Sequence, residues 1–453
     1  MSRLRAVLRD QSGVAIVMAL IVLVAITGLA LAFLSVSAFE PQISQNLTSS
    51  TQARYVADAG LEWAFEILVS DPNWQNRLAP ATGANPNILV VANQPLPGLA
   101  ATFGQVTVTM RNDFQPADPQ MTGYKDVLTN TLQVDPGGPN ADTNNFVILT
   151  STGTVGGVTK TVSAVFRGPI TLPSFNAALA MPGVQADFNA VGASFTINGQ
   201  DTNCCSNDPL CPTCVRDAPG NAPPVYGISV STVYPANNPG SFEQSVEASV
   251  AHNQQGDISG RSQLNPAQVT TGNNTIAKDA GISPTIVANF VAQAKSAATT
   301  VLSSKMATGG LSYNNLNGGT AGSMWGTPTS PAIVYIKGEP DPTSNFTALD
   351  IGGNSTGYGI LIVEDGDLRI HGNFLWNGPI IVTGQYVGIG FMGGGNQTVY
   401  GAVISNEMQA NEPAGYFEAY VNGNSKIQYS KQAMNMAING GASKGGLFSW
   451  REQ

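Results

Sequence analysis

Charge is scarce in this chain. Lys and Arg number 20 and Asp and Glu 29 in 453 residues, or 11%, against roughly a quarter in an average soluble domain. Basic residues are the scarcer sign, and the formal net charge is −9. Electrostatic binding of nucleic acid needs a cationic footprint, so no nucleic-acid partner is expected. Histidine is rarer still, with only His252 and His371. Two histidines assemble neither a Ser–His–Asp set nor a helical metal motif, and no carboxylate pair is placed as glycoside hydrolysis requires. The expectation is a protein with no catalytic site, no metal and no cofactor. Low charge does not imply disorder here, because FGQVTVTM, NFVILTSTG, TKTVSAVF and AIVYIK alternate or run apolar as strands do.

One long apolar run is present. Residues 13–39 read GVAIVMALIVLVAITGLALAFLSVSAF without a charge, behind Arg3, Arg5 and Arg9. At about 1.5 Å per residue this makes a helix of roughly 40 Å, longer than the ~30 Å hydrocarbon core requires. The arginines hold the start in the cytoplasm and place everything beyond Glu40 outside the inner membrane. The run exceeds the about 7–15 apolar residues of a secretory signal peptide and has no polar break before Glu40. Further on, Leu47, Ala53, Ala57, Leu61, Ala64, Phe65 and Leu68 recur, and the set from Ala53 falls on one helical face. Asp71-Pro72 stops this helix, and Pro41 is expected to kink it at the join.

The stretch QSGVAIVMALIVLVAITGLALAFLSVSAFE, followed by PQISQNLTSSTQARYVADAGLEWAFEIL, resembles the N-terminal region of type IV pilin-like proteins. The resemblance is to PilX-type minor pilins above all, with K-type pseudopilins sharing the pattern. It rests on Gly13 closing a basic leader, the apolar helix from Val14, then Glu40, Asn46 and the block Ala57-Asp58-Ala59-Gly60, where Asp58 stands for the usual Glu. It implies a leader over 1–13, cleavage between Gly13 and Val14 by a prepilin peptidase, and a pilin-like helix over 14–70 whose membrane half is 14–39. It also implies a single-pass inner-membrane protein with its bulk in the periplasm, later drawn into an extracellular pilus among other minor and major pilins. Major pilins carry Glu where this chain has Met18. An unpaired carboxylate is costly in lipid, so its absence changes how a subunit docks and points to a minor or tip subunit. Such a subunit would prime assembly or mediate tip adhesion, with a surface ligand or tip adhesin as a further partner. Two alternatives stand beside it: a K-type pseudopilin of a type II secretion system, and a membrane-anchored surface adhesin with no filament role.

The fold class expected is α+β, mainly β. Residues 72–170 carry strands at 103–110, 146–153 and 158–167, an antiparallel sheet to pack on the helix. Residues 171–403 are expected as a β-solenoid-like domain with an insertion over 201–358, and 404–453 as a C-terminal β and loop region. The solenoid reading comes from Gly366, Gly372, Gly378, Gly384 and Gly390, six residues apart. Leu368 and Ile370, Phe374 and Trp376, and Ile380 and Val382 alternate between them, as stacked short strands do. SFTING, with Phe195 and Ile197, and NQTVYG repeat the form. A twisted antiparallel meander fits the same spacing. Within the insertion, Ser283-Pro284 opens a helix whose face is Ile286, Phe290, Val291, Ala294, Ala297 and Ala298.

Cys204, Cys205, Cys211 and Cys214 are the only cysteines. CCSNDPLCPTC is tighter than two separated zinc knuckles and has no histidine beside it, so disulfides are the expectation outside the membrane. Their three possible pairings are not resolved by sequence. Gly388 to Gly393 matches G-x-G-x-x-G, yet turn and strand follow where a dinucleotide site needs a helix. The acidic turns at Glu364-Asp365-Gly366-Asp367 and around Asp135, Asn140 and Asp142 offer oxygen ligands, but neither has EF-hand spacing, and solvated turns are expected rather than calcium sites.

Overall fold

The computed structural model describes residues 3–191, 194–205, 213–231, 246, 249–262, 275–278, 281–343, 346–409, 417–440 and 443–452. Helix α1 (Arg3–Ser70) is unbroken and ends where Asp71-Pro72 was expected to stop it. It also runs through Pro41 without a break, as one continuous helix. One missing donor removes a single bond, and the turns on either side hold the helical path. At about 1.5 Å per residue α1 is on the order of 100 Å long.

Only its C-terminal part is covered by protein. There it lies on an antiparallel sheet of β1 (Ile88–Gln94), β2 (Gln105–Asn112), β3 (Phe146–Val155) and β4 (Val158–Arg167), completed by the last strand of the chain (Gly446–Glu452), β24 below. The short helix α2 (Pro119–Thr122) sits in the connection between β2 and β3. Ala53, Val56, Ala57, Leu61, Ala64 and Leu68 are buried against Val106, Val108, Met110, Leu149 and Phe166. The expected face is therefore correct from Ala53 onward. Leu47, before that set, is 67% exposed because α1 has already left the sheet at that level.

Two glycines set the closeness of this packing. A Cβ on Gly60 of α1 would stand 2.3 Å from the Val106 side chain and 2.5 Å from Ser151 Oγ. A Cβ on Gly153 of β3 would stand 2.3 Å from the Ala53 carbonyl oxygen. Helix and sheet thus meet with backbone nearly on backbone, which no larger residue at these positions would allow.

Between β4 and β24 the chain builds a three-faced stack of parallel strands. It enters at β5 (Ala177–Met181), β6 (Phe188–Val191) and β7 (Thr196–Asn198), then adds β8 (Tyr226–Val230), β9 (Ile258–Ser259) and β10 (Ile276–Lys278) toward one end. Helix α3 (Pro284–Ser296) follows, its Ser283 cap accepting from the Ile286 amide as expected, with Val287 rather than Ile286 on the buried face. Beyond α3 come β11 (Thr300–Ser303) and β12 (Leu311–Asn314), which lie at the opposite end of the stack.

From there the chain coils back through β13 (Ala332–Lys337), β14 (Thr347–Gly352), β15 (Asn354–Glu364), β16 (Asp367–His371), β17 (Asn373–Asn377), β18 (Ile380–Gly384), β19 (Ile389–Met392) and β20 (Asn396–Gly401). The last coil, β21 (Val403–Glu407), β22 (Ala419–Asn422) and β23 (Asn424–Tyr429), pairs in parallel with β5, β6 and β7. Every pairing in the stack is parallel, which settles for a solenoid over a meander. The stretch 201–358, expected as an insertion, supplies β8 to β14 and half of β15 and so forms coils at both ends of the stack. Its apolar strands are indistinguishable in composition from core coils for this reason. The region from 404 on holds the final coil, then α4 (Lys431–Ile438) and β24.

The glycine period has the expected role at Gly366, Gly372, Gly378 and Gly384, whose φ values of 85°, 77°, 136° and 126° turn the chain at coil corners. Gly390 instead lies inside β19. Leu368, Ile370, Phe374 and Trp376 point into the stack and are buried. Trp376 Nε1 donates to the Gly359 carbonyl at 3.0 Å, and Gly357 leaves the space its ring fills. Replacing Gly60 with Val should lower stability by about 2 kcal/mol or more, since overpacking of this kind costs roughly 1–3 kcal/mol. Gly83, with nothing within 4 Å, is the control. Urea midpoints of both variants check this, and equal midpoints would remove the role given to close approach.

Candidate assembly surface

From Val14 to Leu47 every large apolar side chain of α1 is between 54% and 69% exposed. The helix is apolar on all sides there, and no other described element of the chain covers it. Met18 lies on this bare surface. Glu40 and Asn46 are both exposed, forming a polar stretch between the apolar run and the sheet. The Gly13–Val14 bond lies inside the continuous helix, and side chains before Val14 fall outside the described residues.

The Ala57-Asp58-Ala59-Gly60 block divides by helical phase. Ala57 and Gly60 face the sheet, whereas Asp58 turns aside toward Arg54, with Arg54 Nε 4.0 Å from Asp58 Oδ2. Arg54 also reaches Glu452 of β24 at 3.3 Å, and Lys160 of β4 reaches the same carboxylate at 3.3 Å. These groups line an open groove of about 430 Å³ with Ser50, Thr51 and Tyr55. The pairs are exposed and add little stability. Their effect is positional: the last residues of the chain are drawn back to α1.

Cys204 and Cys205 are buried against Tyr400 of β20 and Ala433 and Met436 of α4. Cys214 is disulfide-bonded, and Cys211 lies outside the described residues. Among the described residues no group of three His, Cys, Asp or Glu side chains is placed to hold a metal ion. Gly388 to Gly393 runs through β19 toward β20, strand to strand, so no helix N-terminus meets it. His371 Nε2 lies 3.2 Å from Asp350 Oδ1 on the neighbouring coil, a half-exposed pair; His252 has no described side chain.

The acidic turns are engaged by the protein itself. Lys337 Nζ lies 2.9 Å from Glu364 Oε1 and 2.5 Å from Asp365 Oδ2. Burial pushes the Asp367 carboxyl up to about 7, against the pull of Arg369. Asp135 accepts from the amides of Gly137 and Thr143 and from the Thr143 hydroxyl, closing the loop that contains exposed Asn140. Asp142 accepts from Gln75, and burial pushes its carboxyl up to about 8. Asp113, fully buried beside them, accepts from Asn144 and is raised to about 7, first by burial and then by the neighbouring Asp135 charge. Asn377, set outward by the alternation that buries Phe374 and Trp376, is nevertheless buried under the Cys205 side chain and α4.

One ordered feature escaped the sequence reading. Asn315, Asn354, Asn373, Asn396 and Asn424 stack along one corner of the solenoid. Asn373 Nδ2 donates to Asn354 Oδ1 at 2.9 Å, and the backbone amides of Asn354 and Asn396 donate to the side chains of Asn315 and Asn373. Gly353, Gly372, Gly395 and Gly423, each with positive φ, precede the last four. Recurrence of Gly-Asn was the available signal, and loops of unequal length between corners hid it.

Compared with family models and with curated protein sequences, the chain finds no match. Among solved structures, the competence-associated pilin ComZ from Thermus thermophilus is similar over 90% of this chain and 98% of its own, at 14% identity and a TM-score of 0.21. A superposition that loose bears no weight for function.

The buried Asp113 carboxyl generates a pH dependence. Its folded pKa lies above the ordinary carboxylate value, so the stability it contributes is full below about pH 4 and is lost as pH rises through about 7. Asp113→Asn should therefore flatten the fall in melting temperature between pH 5 and pH 8 relative to the parent chain. Parallel pH curves for the two proteins would contradict this account of the loop.

Proposed function

We propose that the protein is a pilin-like minor subunit of a type IV pilus, non-catalytic, held in the inner membrane by α1 until it is drawn into the filament. One observation carries the reading: a single helix is clamped to its own sheet over its C-terminal part and left bare and apolar from Val14 to Leu47. Leaving a large aliphatic side chain in water instead of burying it costs about 1.5–3 kcal/mol, so this surface requires lipid or other apolar helices around it. A bundle of like helices exchanges lipid contact for helix packing at small net cost. Prepilin peptidase would cut after Gly13, and the other minor and major pilins would supply the bundle.

The solenoid supports a rare position. The longest face of the stack, β10-β8-β5-β21-β18-β15-β13-β11, holds eight strands, about 34 Å at the usual ~4.8 Å spacing. A body of that size at every subunit would crowd a shaft, which favours the tip and a part in priming or adhesion. The PilX-type reading fits this better than a K-type pseudopilin, since the only helices beyond α1 in the described residues are short.

Mass spectrometry of the mature protein tests the reading. Val14 at the N-terminus, together with recovery in sheared filaments, is the expected result. An intact Met1 in a protein that never leaves the membrane fraction would replace it with a tethered envelope protein. Immunogold labelling should mark filament ends or isolated points, and dense labelling along the shaft would refute the terminal position.

A further inference from the structure

We propose that Cys204 and Cys205 close a vicinal disulfide that fixes the loop after β7 against α4, the helix through which the solenoid returns to the antiparallel sheet. Sequence leaves three pairings of four cysteines open. In the structure Cys214 is already in a disulfide, whereas Cys204 and Cys205 are both in the thiol form, Cys204 Sγ facing Cys205 Sγ at 3.2 Å. Cys204 is fully buried and Cys205 nearly so, beneath Tyr400, Ala433 and Met436.

The surroundings give the pair a mechanical role. The amides of Cys204 and Cys205 both donate to Gln432 Oε1 of α4, at 2.9 and 3.2 Å, and Gln432 Nε2 donates back to the Cys205 carbonyl. Two successive amides reach one acceptor only if the dipeptide between them is held bent. A ring through both sulfurs imposes that bend covalently. Asp201 adds a second tie, its carboxylate accepting from the Lys431 amide at 2.8 Å. α4 is followed directly by the segment leading to β24, so this clamp stands at the joint between solenoid and sheet.

The chemistry balances as thiol–disulfide exchange. One thiolate attacks an incoming protein or small-molecule disulfide, forming a mixed disulfide, and the neighbouring thiol displaces the carrier. Two S–H bonds are lost, one S–S bond forms, and the carrier leaves as two thiols with the two electrons and two protons. Adjacent Cα atoms are about 3.8 Å apart, below the about 4.4–6.8 Å of ordinary disulfides, so the ring is strained and more readily reduced than a distant bridge. Burial under α4 counters this, since a reductant must wait for the helix to lift. Closure accordingly precedes α4 docking during folding.

The inference rests on the export reading, because the compartment outside the inner membrane supplies the oxidant. The test takes full-length protein from the membrane fraction, alkylates it unfolded without reductant, and digests it with a protease that cuts before Asp. Cuts at Asp201 and Asp208 place Cys204 and Cys205 on one peptide and Cys211 and Cys214 on another. The first peptide should be unlabelled and two hydrogens lighter than its reduced form, and should take two labels after reduction. Two labels without reductant, or a cross-link between the peptides, overturns the proposal. Protease accessibility in spheroplasts is read on the same cells: an exported chain with labelled thiols sinks the disulfide alone, and an unexported chain sinks both readings. Hydrogen exchange tests the clamp separately. With Cys204 and Cys205 both changed to Ser, α4 amides should exchange about tenfold faster while β2 and β3 are unchanged, and equal α4 rates would leave the ring without the role assigned.

Discussion

Close contact between α1 and its sheet is the constraint on which the rest of the molecule depends. The helix is more than twice as long as the sheet is wide, so the sheet can shelter only one part of it. Which part is decided by small residues: Ala53, Ala57, Gly60 and Ala64 let the helix settle where Gly153 opens the strand beneath. Large aliphatic residues toward the N-terminus offer no such fit. They also gain nothing from one another on a lone helix, because they point outward in all directions. The division between a clamped half and a bare half is therefore written in side-chain size, and it hands the bare half to an apolar environment that the chain does not provide for itself.

The sheet depends in turn on the solenoid folding correctly. β24 lies beside β4, yet a little under three hundred residues separate them in sequence. The chain meets this demand by starting and finishing its coils in the same place. β5 and β7 lie inside their faces, with β8 and β10 beyond β5 and β9 beyond β7, and β6 ends its own face; the last coil comes to rest against all three. The two connecting segments then run side by side, with the Ile170 amide donating to the Ser443 carbonyl at 2.9 Å and Arg167 reaching the Lys444 carbonyl at 3.0 Å. A solenoid wound simply from one end to the other would leave these segments tens of ångströms apart and the sheet without its fifth strand.

What could be read from sequence was whatever depended on local period. The apolar run, the buried face from Ala53, the strands around β2 to β4, the Ser283 cap and the corner glycines all follow from spacing over fewer than thirty residues. What was missed depended on pairing across long separations. Nothing in AALAM announces that it lies against VISNE, and a parallel coil at 226–230 reads like one at 380–384. The insertion over 201–358 was an inference from interruption of the glycine period, but coils tolerate loops at their corners without losing register. Asn377 shows tertiary structure overriding a local pattern: alternation along β17 sets it outward, and it is covered because α4 crosses that face. At the candidate surface, Met18, Glu40 and the Ala57–Gly60 block could be placed along α1 from local sequence, while the partition of that block between packing and ion pairing needed the fold.

Rigidity at the joint gives these parts a common consequence. Asn145, at the foot of β3, donates both to the Gly168 carbonyl at 2.9 Å and to Ser296 Oγ of α3 at 3.0 Å, and the Thr171 amide donates to Gln293 Oε1 of α3, so α3 is tied to the same connection that pairs with the returning segment. Displacement of α1 along its axis is thereby passed to the sheet through close packing and to the solenoid through the paired connections and α3. A domain carried in this way takes its orientation from the helix, so whatever environment receives the bare half of α1 also fixes the direction in which the solenoid faces.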